Sequence, residues 1–381
     1  MDQITFLVAM VIVTALAFDF TNGFHDTANA MATSIATGAL RPKVAVLISG
    51  VLNIVGAFLS TEVARTISGG IVADNLVTPG MIFAGLVGAI MWNLATWLLG
   101  LPSSSSHALF GGLIGAVWVG AGRHGVHFDE VIDKVLLPAI ASPLIAGLAA
   151  LIATYTAYRI TSRSRESSVN RGFRLGQVAS ASLVSLAHGT NDAQKTMGVI
   201  TLTLISAGVL GPGAGPPLWV IGSAGLSIGL GTYLGGWRII RTMGRGLADI
   251  RAPQGFAAES GAATVILTSA HLGFALSTTQ VCSGSILGAG LGRRLAEVRW
   301  GIAGRMVVSW CVTIPAAAIV GGVAAAVVVH GGTLGVVVIA VVAAAVAAFI
   351  VVASRRNPVT AGNVNDDYKV AVRRDVTKTH V

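Results

Sequence analysis

The chain has 381 residues, 54% of them hydrophobic and only 11% charged, with a mean hydropathy of +0.77. Soluble globular domains carry about a quarter charged residues, so that class is excluded and an integral membrane protein is indicated. The net charge of +9 does not point to nucleic acid, because the cations fall in short loops between apolar runs rather than on one folded patch.

Apolar runs predict spans or half-spans at about 4–38, 44–61, 81–100, 105–121, 134–158, 174–208, 216–235, 257–275, 281–293, 302–328 and 334–353. Met1-Asp2-Gln3 lacks the basic start of a signal peptide and no small-residue cleavage site follows, so Ile4 to Ala17 is expected to stay in the mature protein. Loops at 41–43, 159–174, 236–251 and 293–299 and the tail from 354 hold 20 of the 25 Lys and Arg, while the other linkers carry only Arg65, Arg123 and Lys134. The positive-inside rule puts those five regions, the C-terminus included, in the cytoplasm of a multi-pass protein of the cell membrane. An even number of apolar runs then lies between successive basic loops, so 174–208 crosses outward as one broken helix and 4–38 crosses inward as another, with the N-terminus outside. Cys282 and Cys311 have no CxxC partner and read as buried free thiols that say nothing of redox compartment.

Within the first run, Asn22-Gly23-Phe24-His25-Asp26-Thr27-Ala28-Asn29-Ala30-Met31 places a carboxylate and two amides in a long apolar segment. It returns 166 positions later as His188-Gly189-Thr190-Asn191-Asp192-Ala193-Gln194-Lys195-Thr196-Met197. A second element recurs at an offset of 173. Ser104-Ser105-Ser106-His107, followed by Gly111 and Gly115, matches Ser277-Thr278-Thr279-Gln280, followed by Gly284 and Gly288. The run 281–293 is too short to span, at about 20 residues per crossing, so 257–293 reads as a re-entrant hairpin with a hydroxyl-rich tip at membrane depth. Its first copy, 81–121, fits either a hairpin or two full spans. The expected fold is an all-α polytopic membrane protein of inverted-topology repeats, with broken helices, re-entrant hairpins and about 9–11 membrane segments. Its parts are a first repeat with a connecting helix (1–158), a basic linker (159–173), a second repeat (174–300), two lipid-facing or scaffold spans (301–353) and a polar, disordered tail (354–381).

Hydroxyls beside a helix N-terminus supply donors next to free backbone N–H groups and a partial positive charge, which suits an oxyanion. Two such ends, carrying Ser104, Ser105, Ser106, Ser277, Thr278 and Thr279, would cradle a tetrahedral anion, with Gly189 and Lys195 as further candidates; simple helix capping is the alternative. A carboxylate at the bilayer centre costs roughly 2.5–3.5 kcal/mol, and Asp26 and Asp192 would repel an anion unless cations stand between. Asn22, Asn29 and Asn191, with loop carbonyls freed at Gly23 and Gly189, could complete the oxygen shell of such a cation. Lys195 could instead act as a fixed cation or pair with Asp192. His25, His107 and His188 are candidates for carrying protons or holding a metal, with no permanent metal site.

On these residues, together with Trp92-Asn93 running into Leu101–His107 and Gln254-Gly255-Phe256-Ala257-Ala258-Glu259 leading to Leu276–Gln280, the chain resembles the PiT family of inorganic phosphate transporters, in its bacterial low-affinity branch. The resemblance covers most of residues 1–300. Asn191-Asp192 keeps the family's Gly-x-Asn-Asp pattern, His25 stands where Asn is usual, and Gln280 stands where the hairpin pattern has a second His. The resemblance implies secondary active uptake of inorganic phosphate by symport with a coupling cation, a proton with divalent-metal phosphate or sodium, without a cofactor and without enzymatic chemistry. Sulfate or arsenate transport and an anion channel are the alternatives, and a Ser104/His107 hydrolase lacks a third orienting group. The lipid bilayer is the other partner, and a homo-oligomer is left open.

Overall fold

The computed structural model describes residues 3–73, 75–293 and 298–366. Among these the chain is helical, with two isolated bridges, Val72 to Val126 and Ala248 to Val298. The first half begins with α1 (Gln3–Ala36), α2 (Pro42–Ala57) and α3 (Glu62–Gly69). A hairpin of α4 (Pro79–Leu99) and α5 (Ser105–Ala121) follows. A short α6 (Phe128–Val131) leads into α7 (Leu137–Ile160). The second half repeats the plan with α8 (Glu166–Ser206), α9 (Leu218–Leu234), α10 (Trp237–Arg241) and a hairpin of α11 (Ala252–His271) and α12 (Thr278–Leu291). The last element, α13 (Trp300–Ser354), breaks at Gly332, whose φ of 54° lies in the left-handed region that glycine tolerates.

The two halves pack by the same rules. A Cβ at Gly23 would stand 2.3 Å from the Ile228 carbonyl oxygen of α9, and one at Gly189 would stand 2.3 Å from the Asn53 carbonyl oxygen of α2. Neither position admits a side chain, so the duplicated glycines are the surface on which α1 meets α9 and α8 meets α2. The hairpins repeat this on their outer sides. Gly111 of α5 presses on Ile314 of α13, and Gly284 of α12 presses on Pro143 of α7, again within 2.5 Å of a carbonyl oxygen at the missing Cβ. Thus α7 does for the second hairpin what the first part of α13 does for the first. Each hairpin tip is backed by the bent-off half-helix of the other half. Thr242, just after α10, donates to the Gly100 carbonyl, and Thr66 of α3 lies against Gly273.

Four helices are long and apolar enough to cross a membrane among the described residues, and six if each bent pair counts as one span. Among the described residues α5 is a further apolar helix, shorter than a full crossing. Both hydroxyl-rich elements are hairpin tips, since Ser106 reaches the Leu276 carbonyl across the molecule. The helix breaks, however, are not where the duplicated motif suggested. α1 and α8 run unbroken through Asp26 and Asp192, and the bends fall between α2 and α3 (69°) and between α9 and α10 (61°). Unwinding would leave backbone groups without partners at several kcal/mol each. Here the polar side chains find partners on neighbouring elements instead, so no carbonyls are freed at Gly23 or Gly189.

Three further expectations are revised. Residues 166–173, read as linker, form the first turns of α8, where Glu166 sits favourably at a helix N-terminus. The start of the tail is docked: Val364 is buried, Asn365 donates to the Ile35 carbonyl at the end of α1, and Arg241 donates to the Asn363 carbonyl; residues 367–381 lie outside the described part. Cys282 is buried as expected, but Cys311 is exposed on α13. The basic segments do gather at one end of the molecule. Arg238 reaches the Ser354 and Asn357 carbonyls, Arg251 pairs with Glu166 at 2.8 Å, and Arg174, Arg245 and Arg251 line one cavity of about 570 Å³ there.

Candidate functional site

The site forms where the middles of α1 and α8 meet the N-termini of α5 and α12. Ser104 and Ser277 are the N-caps, their hydroxyls accepting the His107 and Gln280 N–H groups, so for these two the capping alternative describes the contact made. The next two hydroxyls of each tip turn inward. Ser105 donates to Asp26 Oδ2 at 2.7 Å, and its counterpart Thr278 donates to Asp192 Oδ2 at 3.0 Å. Asn29 donates to Thr279 at 3.1 Å and to Thr278 at 3.2 Å. Lys195, at the position matching Asn29, donates to Ser106 at 2.5 Å, to the Leu276 carbonyl at 3.0 Å and to Asp192. Thr279 also reaches Asp26 Oδ1 at 3.3 Å. The pattern is two-fold: each aspartate takes a hydroxyl from its own half's hairpin, and each residue three positions on reaches the other half's.

The histidines sit around this core. His25 bridges Asp26 (Nδ1 to Oδ1, 2.6 Å) and Thr96 (Nε2 to Oγ1, 3.1 Å), with Ser103 donating to Thr96 at 2.8 Å. His188 Nδ1 meets Asn53 Oδ1 at 3.2 Å, and its Nε2 lies 2.9 Å from Asp192 Oδ2 without the alignment of a hydrogen bond. Asp26, His188 and Asp192 offer ligand atoms within 4.8 Å of one another, a geometry that could hold a cation. His107 is buried beside α8, and its ring makes no hydrogen bond among the described residues. All of these groups are at most 5% exposed.

Several oxygens are left over. Asn29 Oδ1 and Asn191 Oδ1 are buried without a partner, as are both amide atoms of Asn22, while Asn191 Nδ2 donates to the Phe274 carbonyl at 3.4 Å. Buried polar atoms normally find partners, so carbonyl oxygens left open beside two carboxylates suit an added cation. Gly189 is the exception among the candidates: it lies against the Asn53 backbone of α2 rather than among the hydroxyls.

Duplication alone passes over other residues that the fold brings in. Thr96 and Ser103 hold His25, and Asn53, donating to Thr232 at 2.7 Å, holds His188. Glu259 ties three helices together, accepting from Thr33 and Ser34 of α1 (both 2.6 Å) and from Ser180 of α8 (2.5 Å). Asp19 is fully buried with neither oxygen hydrogen-bonded. A polar residue inside an apolar run was the available signal for Asn53, Glu259 and Asp19, but none of them has a like residue at the repeat offset.

The sequence matches the phosphate transporter family over residues 22–170 and 159–321. The chain belongs to that family. A phosphate transporter family relative from Mycobacterium bovis, described as a "Probable low-affinity inorganic phosphate transporter", is 62% identical over 316 residues, covering 83% of this chain and 76% of the relative. A Bacillus subtilis protein with the same description is 42% identical over 320 residues, covering 84% of this chain and 96% of the relative. Among solved structures, one titled "The sodium-dependent phosphate transporter" superposes with a TM-score of 0.77 at 22% identity, covering 84% of this chain and 98% of that one, a likeness of fold. Membership in a family of transporters sets aside the hydrolase reading of Ser104 and His107.

Proposed function

We propose that this chain takes up inorganic phosphate across the cell membrane by symport with cations. The observation that carries it is the convergence of Ser105, Ser106, Thr278 and Thr279, at two opposed helix N-termini, on Asp26, Asp192 and Lys195 in a buried centre. Helix N-termini with hydroxyl and ammonium donors favour a tetrahedral oxyanion. The carboxylates do not. Around this centre the buried carboxylates Asp19, Asp26 and Asp192 face a single buried ammonium, Lys195, and a phosphate would add to the negative side. In a low-dielectric interior that excess must be met by positive charge entering with the anion. Asp26 and Asp192, with the free carbonyls of Asn29, Asn191 and Asn22, are the groups we assign to the coupling cations, and His25 and His188 those that would carry a proton or share a divalent metal. When phosphate enters, Ser105 and Thr278 turn their hydroxyls from the aspartates to the anion, and the cations take the hydroxyls' place on the carboxylates.

The basic end, with the C-terminal segment, faces the cytoplasm in this reading, following the positive-inside rule. Halves that repeat the same contacts around a central site suit alternating access, in which the helix bundle rocks around the bound anion. Radiolabelled phosphate uptake into proteoliposomes with imposed proton, sodium or divalent-metal gradients tests the proposal. Accumulation driven by one of these gradients is the expected result. Flux that never exceeds equilibration would overturn it in favour of a channel.

A further inference from the structure

Asp19 lies on α1 two turns before Asp26, fully buried, with neither carboxylate oxygen in a well-aligned hydrogen bond among the described residues. Asp19, Asn22 and Asp26 recur at three and four residues and so share one stripe of the helix. On that stripe both amide atoms of Asn22 are also buried and unpartnered. From α8, the buried Thr196 hydroxyl faces the Asp19 carboxyl as a donor, without the alignment of a full hydrogen bond. The charged groups acting on it are Asp192 and Lys195, also of α8. Lys195 is committed to Asp192, Ser106 and the Leu276 carbonyl. α4 brings no titratable side chain, and the one on α9, Tyr233, is exposed. The second half has no counterpart, since Ser185 stands at the repeat offset and donates to the Ala181 carbonyl.

A third carboxylate therefore sits in the interior with the Thr196 hydroxyl as its facing donor and, among the described residues, no basic side chain paired to it, and an ionised carboxylate cannot be kept there uncompensated. The Thr196 hydroxyl oxygen faces it and the open Asn22 amide oxygen lies one turn along the same stripe of α1, hard donors that suit a small cation or a proton rather than a soft metal. We propose that Asp19, with Thr196 and beside Asn22, takes up one monovalent cation, a proton or a sodium ion, and that this charge moves with phosphate in each cycle. The inference rests on the phosphate-symport reading above and adds to it a coupling site outside the two-fold core. It accounts for a carboxylate in only one half: a charge that is not duplicated couples without needing a partner site.

The test uses the full chain in proteoliposomes, with charge movement per phosphate read on solid-supported membranes alongside radiolabelled phosphate exchange. In D19N, exchange is expected to persist while the charge moved per phosphate falls by one. Varying sodium at fixed pH, then pH without sodium, tells which ion supplies that charge. T196V is expected to weaken the affinity for the same ion about tenfold. A D19N protein with wild-type charge per phosphate and unchanged ion dependence overturns the proposal. Absence of phosphate exchange in the wild type would instead overturn the transport reading itself. Should D19N fail to fold, D19E keeps the charge but misplaces it, and wild-type ion affinity in that variant overturns the proposal equally.

Discussion

Lys195 offers the sharpest test of how the centre is held. Its ammonium is fully buried and donates to Asp192, Ser106 and the Leu276 carbonyl. Replacing it with methionine keeps the volume but leaves Asp192 with the Thr278 hydroxyl at 3.0 Å and the neighbouring His188 ring. Breaking a buried ion pair by removing one partner costs about 3–5 kcal/mol. At roughly 2 °C per kcal/mol for a chain of this size, K195M should melt about 6–10 °C lower. The double variant D192N/K195M removes both charges and should regain most of that loss. K195N makes the second half imitate the first, where Asn29 occupies the matching position. It opens room for a cation beside Asp192, and a cation at about 100 times its Kd would return about 2.7 kcal/mol. Thermal unfolding in detergent, followed by tryptophan fluorescence with and without sodium or magnesium, reads these three and the single variant D192N. If the double variant is as unstable as the two single losses added together, Lys195 and Asp192 are not coupled and the reasoning fails.

D26N and D192N are each expected to abolish concentrative uptake while leaving the protein inserted, and wild-type-like transport in both would make the carboxylates structural. S105A or T278A removes a hydroxyl that would donate to a charged oxygen, worth roughly 1.5–3 kcal/mol. The phosphate KM should then rise about tenfold or more with little change in ion dependence, measured by uptake. G189V would drive a side chain into the Asn53 carbonyl, 2.3 Å from its Cβ position, and backbone cannot give way cheaply. The expected result is loss of folded protein on size-exclusion chromatography, and a stable G189V would refute the close helix contact. Cysteines at 129 and 166 report orientation: an impermeant thiol reagent on intact cells should label position 129 and reach 166 only after permeabilisation.

Composition settled the membrane class, because a chain with so few charges cannot dress a soluble surface. The two offsets, 166 and 173, told that there are two halves and which hydroxyls, carboxylates and glycines are paired, since duplication survives in sequence without reference to space. Even Lys195 was legible, as a cation where no cation belongs without a partner. Where the helices break was not. A polar motif with a glycine in an apolar run reads as an unwound helix, yet the same residues serve an unbroken one when a neighbour's backbone packs on the glycine and a hairpin tip meets the side chains. Only tertiary structure decides between these, because the partners of Asp26 lie up to 253 positions away. The crossed pairing of Asn29 and Lys195 to opposite hairpins, and the backing of each tip by the other half's bent helix, are likewise contacts between distant segments. Asp19 marks the same limit from the other side. Its charge is plain in the sequence, but that no well-aligned donor among the described residues comes to meet it is a property of the packed interior.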